Sequence, residues 1–241
     1  MLSEVEASLK TIDSLNKLQS SENLIGDITD NIYEWCFEHL GQEHIINAQQ
    51  EFQHLTGKFF SDDDFYRVRI KYFIEYFLFD RLEKFNFLSH LTCPIYAFYE
   101  SISLMMLPKD LQHRLYELKN NYHSLYRVLD FDGKVLTISD LLSNTSSSIK
   151  INSSDNQIFS GLEKHDIFQC HIFRIDHSFF ISDGLILHSR KAKNAINEVA
   201  KRHRNANSTP KLHFLFHLAN AQLMMIRRPS VSAQYAYETI K

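Results

Sequence analysis

Between residues 22 and 40 the apolar positions Leu24, Ile28, Ile32, Trp35, Cys36 and Leu40 recur at steps close to three and four. That spacing lines one face of a helix, and Gly41 follows as a stop. A second helix is expected over about 42–55, ending before Gly57. Ser61 and Asp64 predict a capping box, with Asp62 and Asp63 suited to the positive end of a helix dipole. The helix they open is expected to run from Asp62 to about Phe85. Its apolar circumference predicts a central place in the helical core. Pro94 and Pro108 each predict a further helix start. The first 20 or so residues read as an amphipathic helix or a frayed tail.

Near Ser124 the period changes from helical to alternating. LYRVLDFDGKVLTI alternates around Asp132-Gly133, a two-residue hairpin signal. The stretch SNTSSSIKINSSDNQ reads as a loop or a weak edge strand. DIFQCHIFRIDHSFFIS predicts two strands turning near Asp176-His177, with Asp183-Gly184 as the next turn. Helical spacing returns from Ser189 to about Arg204 and again from Lys211 to Arg228. Helices and strands kept apart in this way indicate an α+β fold. The expected organisation is a helical region at 1–122, an antiparallel β-module of about four or five strands at 123–188, and basic C-terminal helices at 189–241. The three are expected to pack as one globular unit.

Composition supports this layout. Only 6 glycines and 4 prolines occur, which disfavours a loop-rich all-β fold. The 3 cysteines are odd in number and widely spaced, so no disulfide framework is expected. MLSEVEASLK lacks the basic and apolar regions of a secretion signal, and the apolar run Tyr72–Phe79 is too short to span a bilayer. A cytoplasmic protein without membrane insertion is expected. Charge is unevenly spread. Residues 189–228 carry nine Lys or Arg against Glu198, a net of +8, leaving −11 on the first 188 residues of a chain whose total is −3. Such a segment marks a polyanion-binding surface or a basic region docked on an acidic body.

The segments FIEYFLFDRL, LYELKNNYHSLYRVLDF, ISDLL and DIFQCHIFRIDHSFFISDGLILH resemble a family of uncharacterised bacterial proteins, over roughly residues 60–200. Some members carry a small metal-binding SEC-C tail, and this chain has no such cysteine-rich tail. The resemblance implies an architecture, not an activity.

Candidate chemistry is sparse. His213 and His217 lie four apart on an expected helix, a spacing that lets two imidazoles reach one zinc ion. A zinc peptidase would need Glu at 214, where this chain has Phe. Glu51 and His54 form one Glu-x-x-His unit without the second that a di-iron bundle uses. Cys170 and His171 are adjacent on an expected strand and so point to opposite faces, which excludes a thiol–imidazole pair. Cys170 shares its face with Phe168 and Ile172 and reads as core. Nothing near Cys93 in sequence would lower its pKa. Glycine-rich phosphate loops and GxSxG are absent. Neither a metal site nor a cofactor is expected.

These readings point to a non-enzymatic adaptor or regulatory protein, whose partner is another protein or a second copy of the chain. The alternative is a nucleic-acid-associated protein using Lys201, Arg202, Arg204 and Lys211. A third reading is an enzyme of unrecognised type, built from distant histidines and carboxylates. It requires a pocket with two titratable groups in hydrogen-bond reach.

Overall fold

The computed structural model describes residues 14–15, 24–85, 87–151, 159, 161–206, 209–238 and 240. The expectations for the N-terminal tail and for residues 152–158 therefore lie outside the described residues, apart from Ser14 and Leu15, which are helical. Helical periodicity is realised in α1 (Leu24–Leu40) and α2 (Gln42–Thr56), broken at Gly41. α3 (Tyr66–Glu75) starts later than the expected capping box at Ser61–Asp64. Its cap position is Phe65, without a side-chain hydrogen bond. The acidic residues before it serve another purpose. Asp63 Oδ2 accepts the Phe60 amide (2.7 Å) and pairs with Arg227 Nη2 (2.7 Å).

The expected single helix to Phe85 also ends early. After Glu75 the chain widens into a π-helical turn, Tyr76–Asp80, closed by the Arg81 amide on the Tyr76 carbonyl (3.0 Å). A two-stranded ribbon, β1 (Glu83–Lys84) with β2 (Leu91–Thr92), follows. Pro94 opens α4 (Pro94–Glu100), and Pro108 stands at the cap of α6 (Lys109–Glu117), with α5 (Ile102–Met105) between them.

The main sheet is antiparallel, in the order β5-β4-β3-β6-β7, built from β3 (Asn121–Phe131), β4 (Val135–Asp140), β5 (Ser146–Lys150), β6 (Ile167–Ile175) and β7 (Ser178–Ile181). β8 (Ile186–Leu187) adds to β6 beyond β7. The hairpins turn where the sequence places them, at Asp132-Gly133 and at Asp176-His177. The latter two residues have φ of 49° and 63°, the left-handed conformation a tight hairpin turn demands. The Ser-rich stretch supplies β5, an edge strand. The sheet curls until its end strands β5 and β7 touch.

Alternation gives the sheet two buried faces. Tyr126, Val128, Ile138, Phe168, Cys170 and Ile172 form a core inside the curl. The opposite face packs Leu125 and Ile167 against α7 (Lys193–Ala206), α8 (Lys211–Arg227) and α9 (Ala233–Glu238). On the same face Phe173 meets the N-terminal helices, and α8 lies against α2. The arrangement is α+β, with helices on both sides of the strands in sequence, as expected. Among the described residues no helix is long and apolar enough to cross a membrane.

Candidate metal centre

In an α-helix, residues five apart point about 140° away from each other. A π turn, hydrogen-bonded from i to i+5, brings such residues to the same side. The turn after α3 does this for Glu75 and Asp80. Between their carboxylates lies the imidazole of His171, with Nδ1 3.1 Å from Glu75 Oε2 and Nε2 3.3 Å from Asp80 Oδ2. The register of β3 and β6 sets His123 directly opposite His171. Cross-strand partners share a face, and these two rings stack with centroids 4.1 Å apart. His123 Nδ1 meets the same Asp80 oxygen at 2.9 Å.

Each member is held from behind. Glu75 Oε1 accepts the Gly184 amide (2.7 Å), and Glu75 Oε2 accepts the Ser182 hydroxyl (2.8 Å). Tyr72 Oη lies 2.9 Å from His123 Nε2 and accepts from Gln169 Nε2 (2.7 Å). Gln169 Nε2 also donates to the Leu215 carbonyl (3.1 Å), which fixes the amide's orientation. Its oxygen therefore accepts from His188 Nε2 (3.1 Å), leaving His188 Nδ1 to accept from the Tyr237 hydroxyl (2.8 Å). The donors then run in one direction, from Tyr237 in α9 through His188, Gln169, Tyr72 and His123 to Asp80.

Burial and charge oppose each other in this cluster. Burial pushes the Asp80 carboxyl up, but the two imidazoles beside it hold it well below the usual carboxylate range. Burial and the neighbouring His171 bring His123 down to about 4, against the pull of Asp80. Burial acts on His171 in the same sense, yet Asp80 and Glu75 push it up to about 9. The cluster is not sealed. Asp80 and His123 border a cleft of about 280 Å³, with Tyr122, Lys211 and Leu215 on its walls. The side chain of Asp80 keeps 18% of its surface exposed, so the cleft reaches the carboxylate.

Compared with known protein families, curated proteins and solved structures, the chain matches none.

The residues singled out from sequence are mostly elsewhere. His213 and His217 are both exposed on α8, and neither belongs to a three-ligand group among the described residues. Glu51 accepts from Tyr76 Oη (3.1 Å) and Arg81 Nε (2.9 Å), a structural role. Cys170 is core, as alternation predicts, and burial pushes its thiol well up. Burial likewise pushes the Cys93 thiol up to about 11. Lys201 and Arg202 are exposed on α7, and Arg204 Nη1 donates to the Leu141 carbonyl. Lys211 alone of that set borders the cleft. Asp80, Glu75 and His123 carry no sequence signature, and His171 appears in sequence only as the neighbour of Cys170.

One donor atom from each of Asp80, His123 and His171 lies within 4.8 Å of the other two. Ligands held about 2.0–2.2 Å from one ion stand roughly 3 Å apart. The Asp80 oxygen lies at 2.9 and 3.3 Å from the two nitrogens, near enough for one ion to draw the three together. His171 Nε2 is fully buried and lacks a hydrogen bond of acceptable geometry. Glu75 on the far nitrogen of His171 and Tyr72 on that of His123 are the outer partners that orient ligating imidazoles. A second three-ligand group, His113, Glu117 and Asp176, is largely exposed. Its carboxylates are engaged by Arg114 (3.2 Å) and by the Asp176 amide (2.6 Å).

Proposed function

We propose that this protein is a metal-dependent enzyme, in which Asp80, His123 and His171 bind one divalent first-row transition ion at the floor of a small-molecule cleft. The observation that carries this reading is the convergence of three donor atoms, one of them a buried nitrogen without a hydrogen bond. Two imidazoles and one carboxylate leave coordination positions free, the arrangement of catalytic rather than structural sites. A bound ion would polarise a substrate oxygen or acidify a water there. In the ion-free fold His123 Nδ1 holds a proton toward Asp80; binding would displace that proton and leave His123 Nε2–H to donate to Tyr72 Oη. The reading replaces the adaptor expectation because it rests on a built cluster rather than on missing motifs.

The test is titration of apo-protein with Co(II), followed by visible absorption, and with Zn(II) by calorimetry. One equivalent per chain is expected. Asp80→Asn and His123→Ala, checked as folded by circular dichroism, should weaken binding at least about tenfold, since losing even an outer partner of a ligand costs that much. No uptake by the wild-type protein, or unchanged uptake by both folded variants, would overturn the assignment.

A further inference from the structure

We infer that the hollow inside the curled sheet binds a small amphipathic anion, an apolar body bearing one carboxylate or phosphate, and that this is the substrate class of the adjoining centre. The second half of the inference rests on the metal reading; the first stands without it. A cavity of about 400 Å³ opens on the sheet face opposite the histidines, within the range of small-molecule sites. Its apolar wall comes from Tyr126, Ile138, Ile149, Ile172 and Phe179. That much apolar surface facing an open hollow suits an aliphatic or aromatic body.

Two cations and one carboxylate stand at its rim. Arg174 and Lys211 both border the cavity and are exposed, and the Asp140 and Asp80 carboxylates lie near enough to Lys211 to favour its charge. The two cations lie at the same end of the sheet. The Arg174 amide bonds the Asn120 carbonyl (3.2 Å), just beyond the start of β3, and Tyr122 lies beside both cavities. The acid at the rim, Asp140, has one oxygen turned to neutral donors. Its Oδ1 accepts from Ser124 Oγ (2.8 Å), Leu142 N (2.7 Å) and Ser143 N (3.2 Å). Two exposed cations against one carboxylate, at the mouth of an apolar hollow, favour an anion with a greasy tail. Buried ligand anions need such partners, because an unpaired charge is costly to desolvate.

The two cavities approach each other where β3 runs past the end of β4. β4 pairs with β3 only as far as Tyr126, so residues 121–124 have no β4 partner. Tyr122 and Lys211 line both cavities. A ligand seated in the hollow with its anionic group at Lys211 therefore has that group next to the cleft of Asp80 and His123.

The probes are 2-naphthoate, 2-naphthyl phosphate and the neutral 2-naphthalenemethanol, followed by their own fluorescence against the full chain. Saturable binding of at least one anion is expected, with the alcohol at least about tenfold weaker. Whichever anion binds more tightly assigns the headgroup as carboxylate or phosphate. Arg174→Gln and Lys211→Gln, both exposed and so compatible with folding, should each weaken the anion about tenfold and leave the alcohol unchanged. Asp80→Asn should weaken metal uptake at least about tenfold and retain naphthoate binding, which separates this inference from the metal reading. Equal binding of the alcohol, or indifference to both cation changes, would overturn it. Loss of naphthoate binding in folded Asp80→Asn protein would place the anion at the metal cluster and overturn it too.

Discussion

Gly184 shows how tightly the centre is built. A Cβ added there would lie 2.6 and 2.7 Å from the two Glu75 oxygens and 2.7 Å from the Tyr72 Cα. The carboxylate could swing away only by giving up the Gly184 amide, and the Tyr72 backbone is fixed inside α3. Gly184→Ala should therefore destabilise the protein by about 2–3 kcal/mol, combining overpacking with a weakened buried acceptor. It should also weaken metal binding, because Glu75 no longer orients His171. Gly161→Ala is the control, since no atom lies within 4 Å of its added Cβ. Its effect should stay within about 0.5 kcal/mol. Urea unfolding of the two variants measures the difference, and equal stabilities would show that the Glu75 cradle has room to relax. Tyr72→Phe probes the other side of the cluster. It leaves His123 Nε2 and one Gln169 proton without their partner and should cost about 1–3 kcal/mol, read from the same unfolding curves.

At the scale of elements, what the sequence discloses and what it hides divide along clear physical lines. Local period shows α1, α2, the Asp132-Gly133 hairpin and the two helices after Ser189, because each depends on near neighbours. Alternation also places Cys170 in the core and, by the same rule, His171 on the other face. The centre stays hidden for two reasons. A π turn has no periodic signature, so Glu75 and Asp80 look like residues on different sides of one long helix. The pairing of β3 with β6 joins positions 48 apart in sequence, and no pattern within either strand announces that His123 faces His171. The capping box failed for a related reason. Asp63 is drawn into an ion pair with Arg227, far along the chain, and the helix starts three residues after it.

At the scale of the whole molecule, the basic C-terminal segment docks on the acidic body. Arg190 binds Asp166 through Nε (2.8 Å) and Glu163 through Nη1 (2.9 Å), while Arg227 holds Asp63 and faces the rings of Phe60 and Phe65. The charge asymmetry in the sequence is thus partly neutralised within the fold. Beyond that segment, Tyr237 reaches the centre through His188, which makes the last helix part of its support. His188 is fully enclosed by Gln169 of β6, Tyr237 of α9 and the nearby Arg69 of α3. Burial, helped by the Arg69 charge, lowers its pKa from 6.5 to about 3. In acid the unfolded chain takes up a proton at this position that the folded chain refuses. The His188 contribution is therefore fully present above pH 6.5 and is lost as the pH falls toward 3. His188→Gln keeps one acceptor for Tyr237 and one donor for Gln169 but cannot titrate. Between pH 6 and 4 its stability should fall less steeply than that of the wild type, by up to about 1.4 kcal/mol per pH unit, the limit for one proton. Chemical unfolding across that range supplies both slopes. Parallel slopes would mean that His188 already carries its proton in the fold, so that the donor chain from Tyr237 to Asp80 runs differently.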